Sequence, residues 1–368
     1  MSVKIGIDIR DLKIAQTGAK TYLVSLIEAW QQIPDASICL LDNNKKVYRG
    51  TNPVFKIIEH IRFIWWKQIQ LPFKAKQDGC THLFCSDFFV PFFKQGLKTI
   101  AVLHDAFFWE NPEHYHVLWL QLFHIIGVPA AKKADLIIVP SEYAKNRILH
   151  FEKLDVHKML VVHEAAKSFA PSKSQDASTN NPSATPYFLH MGVLEKRKNL
   201  PQLIKAFAQV VQKHPEYHLY LAGNTPVKKQ LNDAPLIQAT IQDLGLNAHV
   251  HLLGYVTDVQ AAHLYEQAFA YILPSKNEGF GLPLLEAFSY GLPVICSNAG
   301  ALPEIAADAA LVFDLQEANS TQNLANAIVT IIENEPLRNK YAQKGIERNK
   351  AFSWHQTALQ INEHIKNI

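Results

Sequence analysis

Apolar and polar positions follow two alternating periods along this chain, and the alternation predicts repeated strand and helix units. Apolar runs of roughly four to eight residues are typical of buried strands, whereas apolar positions three or four residues apart are typical of helices. In the first half we expect strands at 3–9, 37–41, 81–84, 99–103, 136–139 and 159–162. We expect helices at 18–32, 58–76, 113–133 and 141–151. Such alternation predicts a parallel sheet with helices on both faces.

The same alternation resumes in the second half after a break. The segment 170–186 is rich in Ser, Pro and Asn and has no aliphatic residue larger than Ala, which indicates a linker or exposed loop. Strands are expected at 187–190, 218–222, 249–252, 269–273, 293–296 and 310–313, with helices that include 200–213, 323–334 and 352–368. We therefore predict an α/β protein with two doubly wound, Rossmann-like domains, 1–168 and 187–351, joined by a linker at 169–186 and facing each other across a ligand cleft.

Composition supports two globular domains and excludes several classes of protein. The chain has 368 residues, of which 48% are hydrophobic and 19% charged, so one ordinary core is too small for it. The four cysteines are scattered and have no paired spacing, which argues against a zinc site and against a disulfide framework. Their pattern fits a protein of the reducing cytoplasm. Residues 1–170 carry 21 Lys and Arg against 16 Asp and Glu, a net charge of +5, while residues 171–368 carry 15 against 17. This weak asymmetry suits an anionic surface and argues against nucleic acid.

The richest chemical pattern is SKNEGFGLPLLEAFSYGLPVICSNAGALPE at 275–304. It places a turn with Gly281 between a predicted strand and a predicted helix, and the free N–H groups at such a helix start bind phosphate. Pro283 lacks an N–H, so Leu282 and its neighbours would supply the donors. Glu286, two turns into the helix, would reach ribose hydroxyls, and Glu278 would reach hydroxyls attached to the phosphate. These groups together indicate a sugar nucleotide as the ligand.

This segment resembles the E-x7-E signature of the retaining glycosyltransferases of family 4, which have the GT-B fold. Phe280, within the motif, is part of the resemblance. The family's other motifs follow one another in the same order over nearly the whole chain. It implies that the final helix, 352–368, crosses back to the N-terminal domain. It further implies that 1–168 binds the acceptor and that 187–351 binds the donor.

Two cations follow the first strand of the second half. Arg197 and Lys198 stand in GVLEKRKN, which begins at Gly192 and resembles the diphosphate-binding segment of the family. Arg binds phosphate with two donors and Lys acts as a point charge. Val193 stands where many members have an arginine, so Arg197 would have to supply the second cation. Ordinary solvated cations remain the alternative interpretation.

Two further strand ends carry candidate donor residues. Asn224 follows a Gly at the end of one predicted strand, and Tyr255 and Val256 follow the next. In the resembled family the residues at Tyr255 and Val256 pack on the nucleotide base and bind it through backbone groups. Two ordinary turns at strand ends are the alternative.

The first half carries five candidates at strand ends and helix starts. The resemblance implies that the loop QTGAK places Gly18 beneath the donor and borders the acceptor site. Lys20 there is either an added positive charge or a surface cation. His104 and Asp105 end the strand TIAVLHD and resemble the HD motif of the family, which implies that His104 contacts the transferred sugar. Ser141 resembles an element supporting the acceptor side, and it is also the expected N-cap of the helix at 141–151.

The aromatic and basic helix at 58–76 has two open interpretations. It is either an amphipathic helix on a membrane surface or a core-facing helix whose cations extend to solvent. Trp65 and Trp66 are adjacent and must point to different faces. No stretch has the length and apolarity needed to span a bilayer.

The resemblance implies a retaining, metal-independent hexosyltransferase that moves a hexose from GDP-mannose or a UDP-sugar to a glycan or lipid-linked acceptor. Mannosyltransferases of bacterial surface polysaccharide or lipopolysaccharide synthesis are the most similar group, which implies a cytoplasmic protein, peripheral on the inner membrane. No cofactor and no DxD metal motif are expected. His104, Glu278, Arg197 and Lys198 would serve catalysis. A GT-B-fold epimerase or phosphorylase, and a non-catalytic nucleotide-sugar-binding subunit, remain the rival functions.

Overall fold

The computed structural model describes residues 3–14, 18–48, 50, 52–169, 185–226 and 228–368. The chain divides into two compact units. The first comprises Met1–Glu164 and Ser353–Ile368, and the second comprises Ala165–Phe352. The predicted linker at 169–186 lies almost entirely outside the described residues, as do Gln16 and Thr17 of the predicted glycine loop.

Each unit contains one six-stranded parallel sheet, which confirms the predicted α/β class. The strands of the first sheet are β1 (Lys4–Asp8), β2 (Ser37–Leu41), β3 (His82–Cys85), β4 (Lys98–Val102), β5 (Leu136–Val139) and β6 (Met159–Val161). Those of the second are β7 (Tyr187–Met191), β8 (His218–Ala222), β9 (Val250–Gly254), β10 (Ala270–Leu273), β11 (Val294–Ser297) and β12 (Leu311–Phe313). Most of these strands are buried on both faces, because helices cover both sides of a parallel sheet.

The helices alternate with the strands. Those of the first unit before the linker are α1 (Gly18–Gln31), α2 (Pro53–Trp65), α3 (Leu71–Gln77), α4 (Phe107–Glu110), α5 (Val117–Leu122), α6 (Val128–Lys132) and α7 (Glu142–Phe151). The later ones are α8 (Leu200–Val211), α9 (Ala234–Asp243), α10 (Asp258–Gln267), α11 (Leu282–Ser289), α12 (Leu302–Ala306), α13 (Ser320–Glu333), α14 (Glu335–Asn349) and α15 (Trp354–Lys366). Two π-helical segments, Trp66–Gln70 and Phe123–Gly127, join α2 to α3 and α5 to α6. Short 3-10 turns occur at Arg10–Lys13, Pro112–His114, Val156–Lys158 and Lys196–Lys198.

The C-terminal helix α15 is part of the first unit rather than the second. It packs against α1, and its residues Ala358, Ile361 and Ile365 are fully buried in the core on that side of the first sheet. Thr357 Oγ1 donates a hydrogen bond to the His163 carbonyl at 2.7 Å. Both ends of the chain are thereby tied to one core.

The predicted helix at 113–133 is wrong at its start. Residues Pro112–His114 form a separate 3-10 turn, and the regular helix begins only at Val117. His116 has an extended backbone, and its Nδ1 accepts a hydrogen bond from Leu118 N at 3.2 Å. An imidazole that caps the helix in this way was not expected, since Ser, Thr, Asp and Asn are the usual caps. Among the described residues, no helix combines the length and apolar character needed to cross a membrane.

The order of strands fixes where loops converge in each sheet. The first sheet runs β2-β1-β3-β4-β5-β6 and the second β12-β11-β10-β7-β8-β9. The direction of winding therefore reverses between β1 and β3 in the first sheet, and between β7 and β10 in the second. Loops after the strands that flank such a switch point diverge and leave a crevice at the carboxyl edge, where ligands bind in this architecture.

Candidate functional site

Two loops at the switch point of the second sheet meet through charged side chains. The loop after β7 carries Arg197 and Lys198, and the loop after β10 carries Glu278. Lys198 Nζ lies 2.6 Å from Glu278 Oε1, and Arg197 Nη1 lies 2.7 Å from Glu278 Oε2. Ser275 Oγ donates to Oε1 at 2.7 Å, and Arg197 Nε donates to Glu195 at 2.9 Å. Residues predicted from two separate motifs thus form one hydrogen-bonded group, which we call the charge cluster (Glu195, Arg197, Lys198 and Glu278).

Burial and charge oppose each other in the charge cluster. Glu278 is 6% exposed and Lys198 4%. Burial alone would raise the pKa of Glu278, but Arg197 and Lys198 outweigh it and lower that pKa to about 2. Burial lowers the pKa of the Lys198 ammonium, although Glu278 counteracts it. Two cations fixed by two carboxylates are preorganised to receive an additional anion, because little reorganisation is needed when it arrives.

The backbone next to the cluster depends on two glycines. Gly281 precedes α11 with φ +108°, a conformation that side-chain-bearing residues rarely adopt, and its carbonyl accepts a hydrogen bond from Leu284 N at 3.0 Å. Gly300 has φ +67°, and a Cβ placed there would lie 2.5 Å from Glu278 N. The Ala301 N–H donates to the Glu278 carbonyl at 2.9 Å. The loop after β11 therefore holds the Glu278 backbone in place.

Glu286 lies on α11 with a different partner. Its carboxylate is 8% exposed and accepts a hydrogen bond from the Tyr265 hydroxyl at 2.9 Å. Burial raises the pKa of Glu286 to about 7, while the hydrogen bond from Tyr265 acts in the opposite direction. Tyr265 also stacks on Tyr290, with ring centroids 5.4 Å apart. Sequence reasoning missed Tyr265, because a tyrosine on the buried face of α10 has no motif of its own.

The remaining residues predicted to bind the donor differ in exposure. Gly192 lies beside the aliphatic stem of Lys198, since a Cβ there would be 3.3 Å from Lys198 Cε. Asn224 and Tyr255 are exposed at the ends of β8 and β9, Tyr255 at 69%. Val256 is half-buried, and Leu282 begins α11. The Phe280 ring is buried edge-on against Phe352.

In the first unit, His104 is paired with a carboxylate that sequence reasoning missed. His104 follows β4 and Glu164 follows β6, and His104 Nδ1 lies 3.2 Å from Glu164 Oε1. The Tyr22 ring meets the imidazole edge-on at 4.8 Å. Among the described residues, His104 Nε2 has no hydrogen-bond partner. Burial would lower the pKa of His104, but the hydrogen bond and charge of Glu164 outweigh it and raise that pKa. The only sequence signal for Glu164 is its place after a predicted strand.

The other first-unit candidates have structural contacts of their own. Gly18 starts α1, and Lys20 is exposed on its first turn. Asp105 Oδ1 accepts from Phe107 N at 2.9 Å. Ser141 Oγ accepts from Ala144 N at 3.0 Å, which confirms its predicted capping of α7.

The switch point of the first sheet is occupied by a buried lysine. Lys67 is fully buried, and its Nζ lies 2.7 Å from Asp8, 2.9 Å from Asp11 and 3.0 Å from Asp87. Burial would lower the pKa of Lys67, but the three carboxylates raise it well above its usual value. Trp66 Nε1 donates to Asp8 at 3.1 Å. These contacts attach the π-helical segment Trp66–Gln70 to the end of β1 and to the loops after β1 and β3.

Residues 171–348, which include the charge cluster, Glu286 and α11, match the profile of the family described as Glycosyl transferases group 1. The chain belongs to the group 1 glycosyltransferases. Members of this family are retaining hexosyltransferases, so the chain is an enzyme and the predicted family is confirmed. One relative, the O-antigen chain mannosyltransferase B of Escherichia coli, is 26% identical over 269 residues, which are 72% of this chain and 68% of that protein.

Solved structures confirm the GT-B fold of this glycosyltransferase. A sucrose-phosphate synthase from Thermosynechococcus elongatus superimposes with a TM-score of 0.76 at 20% identity, covering 99% of this chain and 98% of that one. The Anabaena protein HepE, solved in complex with UDP and glucose, superimposes with a TM-score of 0.72 at 20% identity over the full length of both chains. At this identity the likeness establishes the fold alone.

Proposed function

We propose that this glycosyltransferase transfers a hexose from a nucleoside-diphosphate sugar to a glycan or lipid-linked acceptor. The observation that carries the proposal is the charge cluster beside the first turn of α11. Glu278 holds the side chains of Lys198 and Arg197 on its two carboxylate oxygens, and the positive end of the α11 dipole adds further positive potential beside them.

The chemistry requires charge stabilisation at the leaving group. As the glycosidic bond to phosphate breaks, negative charge grows on the diphosphate, and fixed cations stabilise that charge more than they stabilise the substrate. We assign Arg197 and Lys198 to this role. Glu278 keeps both cations ionised and in position, and its free oxygen lone pairs accept hydrogen bonds from sugar hydroxyls. We assign Glu286 to the ribose hydroxyls.

We assign donor binding to the second unit and acceptor binding to the first. His104 supports the second assignment, because its Nε2 has no hydrogen-bond partner among the described residues and can form one with a sugar or acceptor hydroxyl. Front-face attack, in which the leaving diphosphate takes the acceptor proton, needs no enzymic nucleophile and no metal. This scheme accounts for retention without assigning a covalent role to any residue of the chain.

The relatives favour two donors. The O-antigen mannosyltransferase favours GDP-mannose and bacterial surface polysaccharide, and the HepE complex favours a UDP-sugar. We propose GDP-mannose first, because the mannosyltransferase is the more similar in sequence. Its polysaccharide product further supports a lipid-linked glycan as the acceptor, at the cytoplasmic face of a membrane.

The test is thermal unfolding with GDP, UDP, ADP and CMP on the wild type, Lys198→Met and Lys196→Met. Lys196 is the matched control, since it is an exposed cation two residues away. A diphosphate at a hundred times its Kd adds about 2.7 kcal/mol, which raises the Tm by several degrees. Losing one charge-assisted contact at Lys198 costs about 2 kcal/mol, or roughly thirtyfold in Kd.

Two outcomes would contradict the proposal. If no diphosphate shifts the wild type, or if Lys196→Met loses binding as fully as Lys198→Met, the charge cluster does not bind the donor. If one diphosphate does bind, its base identifies the sugar nucleotide to use in a transfer assay. Epimerised or phosphorolysed sugar without a glycosylated acceptor would favour the rival functions.

A further inference from the structure

The helical segment from α2 to α3 has a second apolar face that its own core does not use. Phe63, Trp66 and Leu71 bury one side of the segment against the first unit. On other positions, spaced three or four residues apart, lie large apolar side chains that are between 39% and 63% exposed. This apolar stripe consists of Val54, Ile58, Ile61, Trp65, Ile69 and Phe73.

Neighbouring elements extend the apolar stripe. Gln68 Nε2 donates to the Val90 carbonyl at 3.0 Å, which places the loop with Phe93 beside the segment. Trp119 of α5 contacts the His60 ring, with centroids 5.5 Å apart. Phe93 is 64% exposed, Val117 66% and Ile125 71%. Exposed apolar side chains in this number on neighbouring elements mark an interaction surface rather than scattered surface residues.

Charged residues along the stripe are mostly basic. The segment 53–77 contains five Lys and Arg residues and one acid, Glu59, and 117–132 contains no acid at all. Only Lys67 among the five is buried. The one acid, Glu59, is 14% exposed because it binds Arg10 and Arg62. Of the other cations, Arg62 pairs with Glu59 at 3.3 Å and Lys74 with Asp78 at 3.5 Å. Lys56 and Lys76 are exposed and present positive charge beside the apolar side chains.

We propose that the apolar stripe is a docking surface for an anionic lipid bilayer, with the segment lying in the plane of the interface. Bulky apolar and tryptophan side chains beside Lys and Arg are what interfacial helices use to enter the headgroup boundary. Anionic lipids add about 1 kcal/mol for each nearby cation, or roughly fivefold in affinity. A protein partner fits less well, because lysine is depleted from protein interfaces. The docking surface does not depend on which donor or acceptor the enzyme uses.

The experiment is vesicle flotation of the full chain, without donor, using phosphatidylcholine vesicles with and without 30% phosphatidylglycerol, a molar fraction chosen to give roughly physiological anionic charge. We compare the wild type with Ile61→Ser/Trp65→Ser, Lys56→Gln and Leu236→Ser. Leu236 is the matched control, a 56% exposed leucine of the second unit. We expect the wild type and the control to float with anionic vesicles, at least tenfold weaker binding for the double variant, and about fivefold weaker binding for Lys56→Gln.

Three results would overturn the proposal. The first is that the wild type does not float with anionic vesicles, and the second is that the double variant floats as well as the wild type. The third is that the wild type is a dimer in solution, that the double variant abolishes the dimer, and that no variant affects flotation. The thermal shift with nucleoside diphosphate is measured on the same double variant. An unchanged shift shows an intact fold and separates loss of docking from loss of the donor site.

Discussion

Replacing Glu278 by Gln removes the carboxylate that compensates the buried Lys198 and the half-buried Arg197. We expect the ligand-free variant to be less stable than the wild type, because Arg197 and Lys198 then lie side by side with only Glu195 as a counter-charge. We also expect nucleoside diphosphate to stabilise the variant more than it stabilises the wild type, since the ligand supplies the missing negative charge.

The magnitude follows from the pKa of the carboxyl. A pKa of about 2, against an ordinary value of 4.5, corresponds to about 3 kcal/mol of stability at neutral pH. Since the folded-state pKa is depressed, this contribution is complete above pH 4.5 and is lost as the pH falls towards 2. Burial lowers the pKa of Lys198, so desolvation of the ammonium offsets part of the gain and about 3 kcal/mol is the upper end. This amount lowers the Tm by about 4 °C if the whole chain unfolds together, or about 8 °C if the second unit unfolds alone.

The assay is thermal unfolding between pH 3 and 8, with and without diphosphate. Glu266→Gln is the matched control, because it removes an exposed carboxylate from the same unit. The difference in Tm between Glu278→Gln and the wild type should narrow as the pH falls from 4.5 to 3. An equal Tm at pH 7.5, or a difference that does not change with pH, would refute the reasoning.

Three other predictions concern Glu286, Glu164 and Gly300. Since burial raises the pKa of Glu286 to about 7, nucleoside diphosphate should bind more tightly as the pH rises from 6 to 8, and calorimetry should show a smaller increase for Glu286→Gln than for the wild type. Because Glu164 raises the pKa of His104, Glu164→Gln should move the alkaline limb of the kcat profile to lower pH, with kcat falling more than KM changes. A Cβ at position 300 would collide with the backbone of Glu278. Gly300→Ala should therefore lower the free energy of unfolding by about 1–3 kcal/mol in denaturant titration and weaken diphosphate binding.

Each of these has its own contradicting result. Protonation of the diphosphate near pH 6 affects wild type and Glu286→Gln alike, so equal pH dependence in both would remove Glu286 from the ribose site. An unchanged alkaline limb in Glu164→Gln would leave that carboxylate a purely structural role. A Gly300→Ala protein that matches the wild type in both stability and binding would show that the loop relaxes without cost.

Local patterns in the sequence were sufficient for the elements and for the family. Parallel strands are short apolar runs and their helices have a distinct period, so the boundaries of β2 and β5 were predicted to the residue. The motif around Glu278 and Glu286 predicted the family because the whole pattern at 277–304, rather than two acids at a given spacing, resembles the family's signature. The start of α5 was not predictable in the same way, since His116 caps it with a side chain that seldom does so.

Only the tertiary structure decided which side chains act together. The contacts of Lys198 with Glu278 and of His104 with Glu164 join residues 80 and 60 positions apart, and they depend on the order of strands in each sheet. The pKa of Glu286 likewise depends on its burial and on the hydrogen bond from Tyr265, and neither can be read from the residues next to Glu286 in the chain. Sequence pattern reports local periodicity and residue type, whereas electrostatic environment is set by distances and desolvation that exist only once the chain has folded.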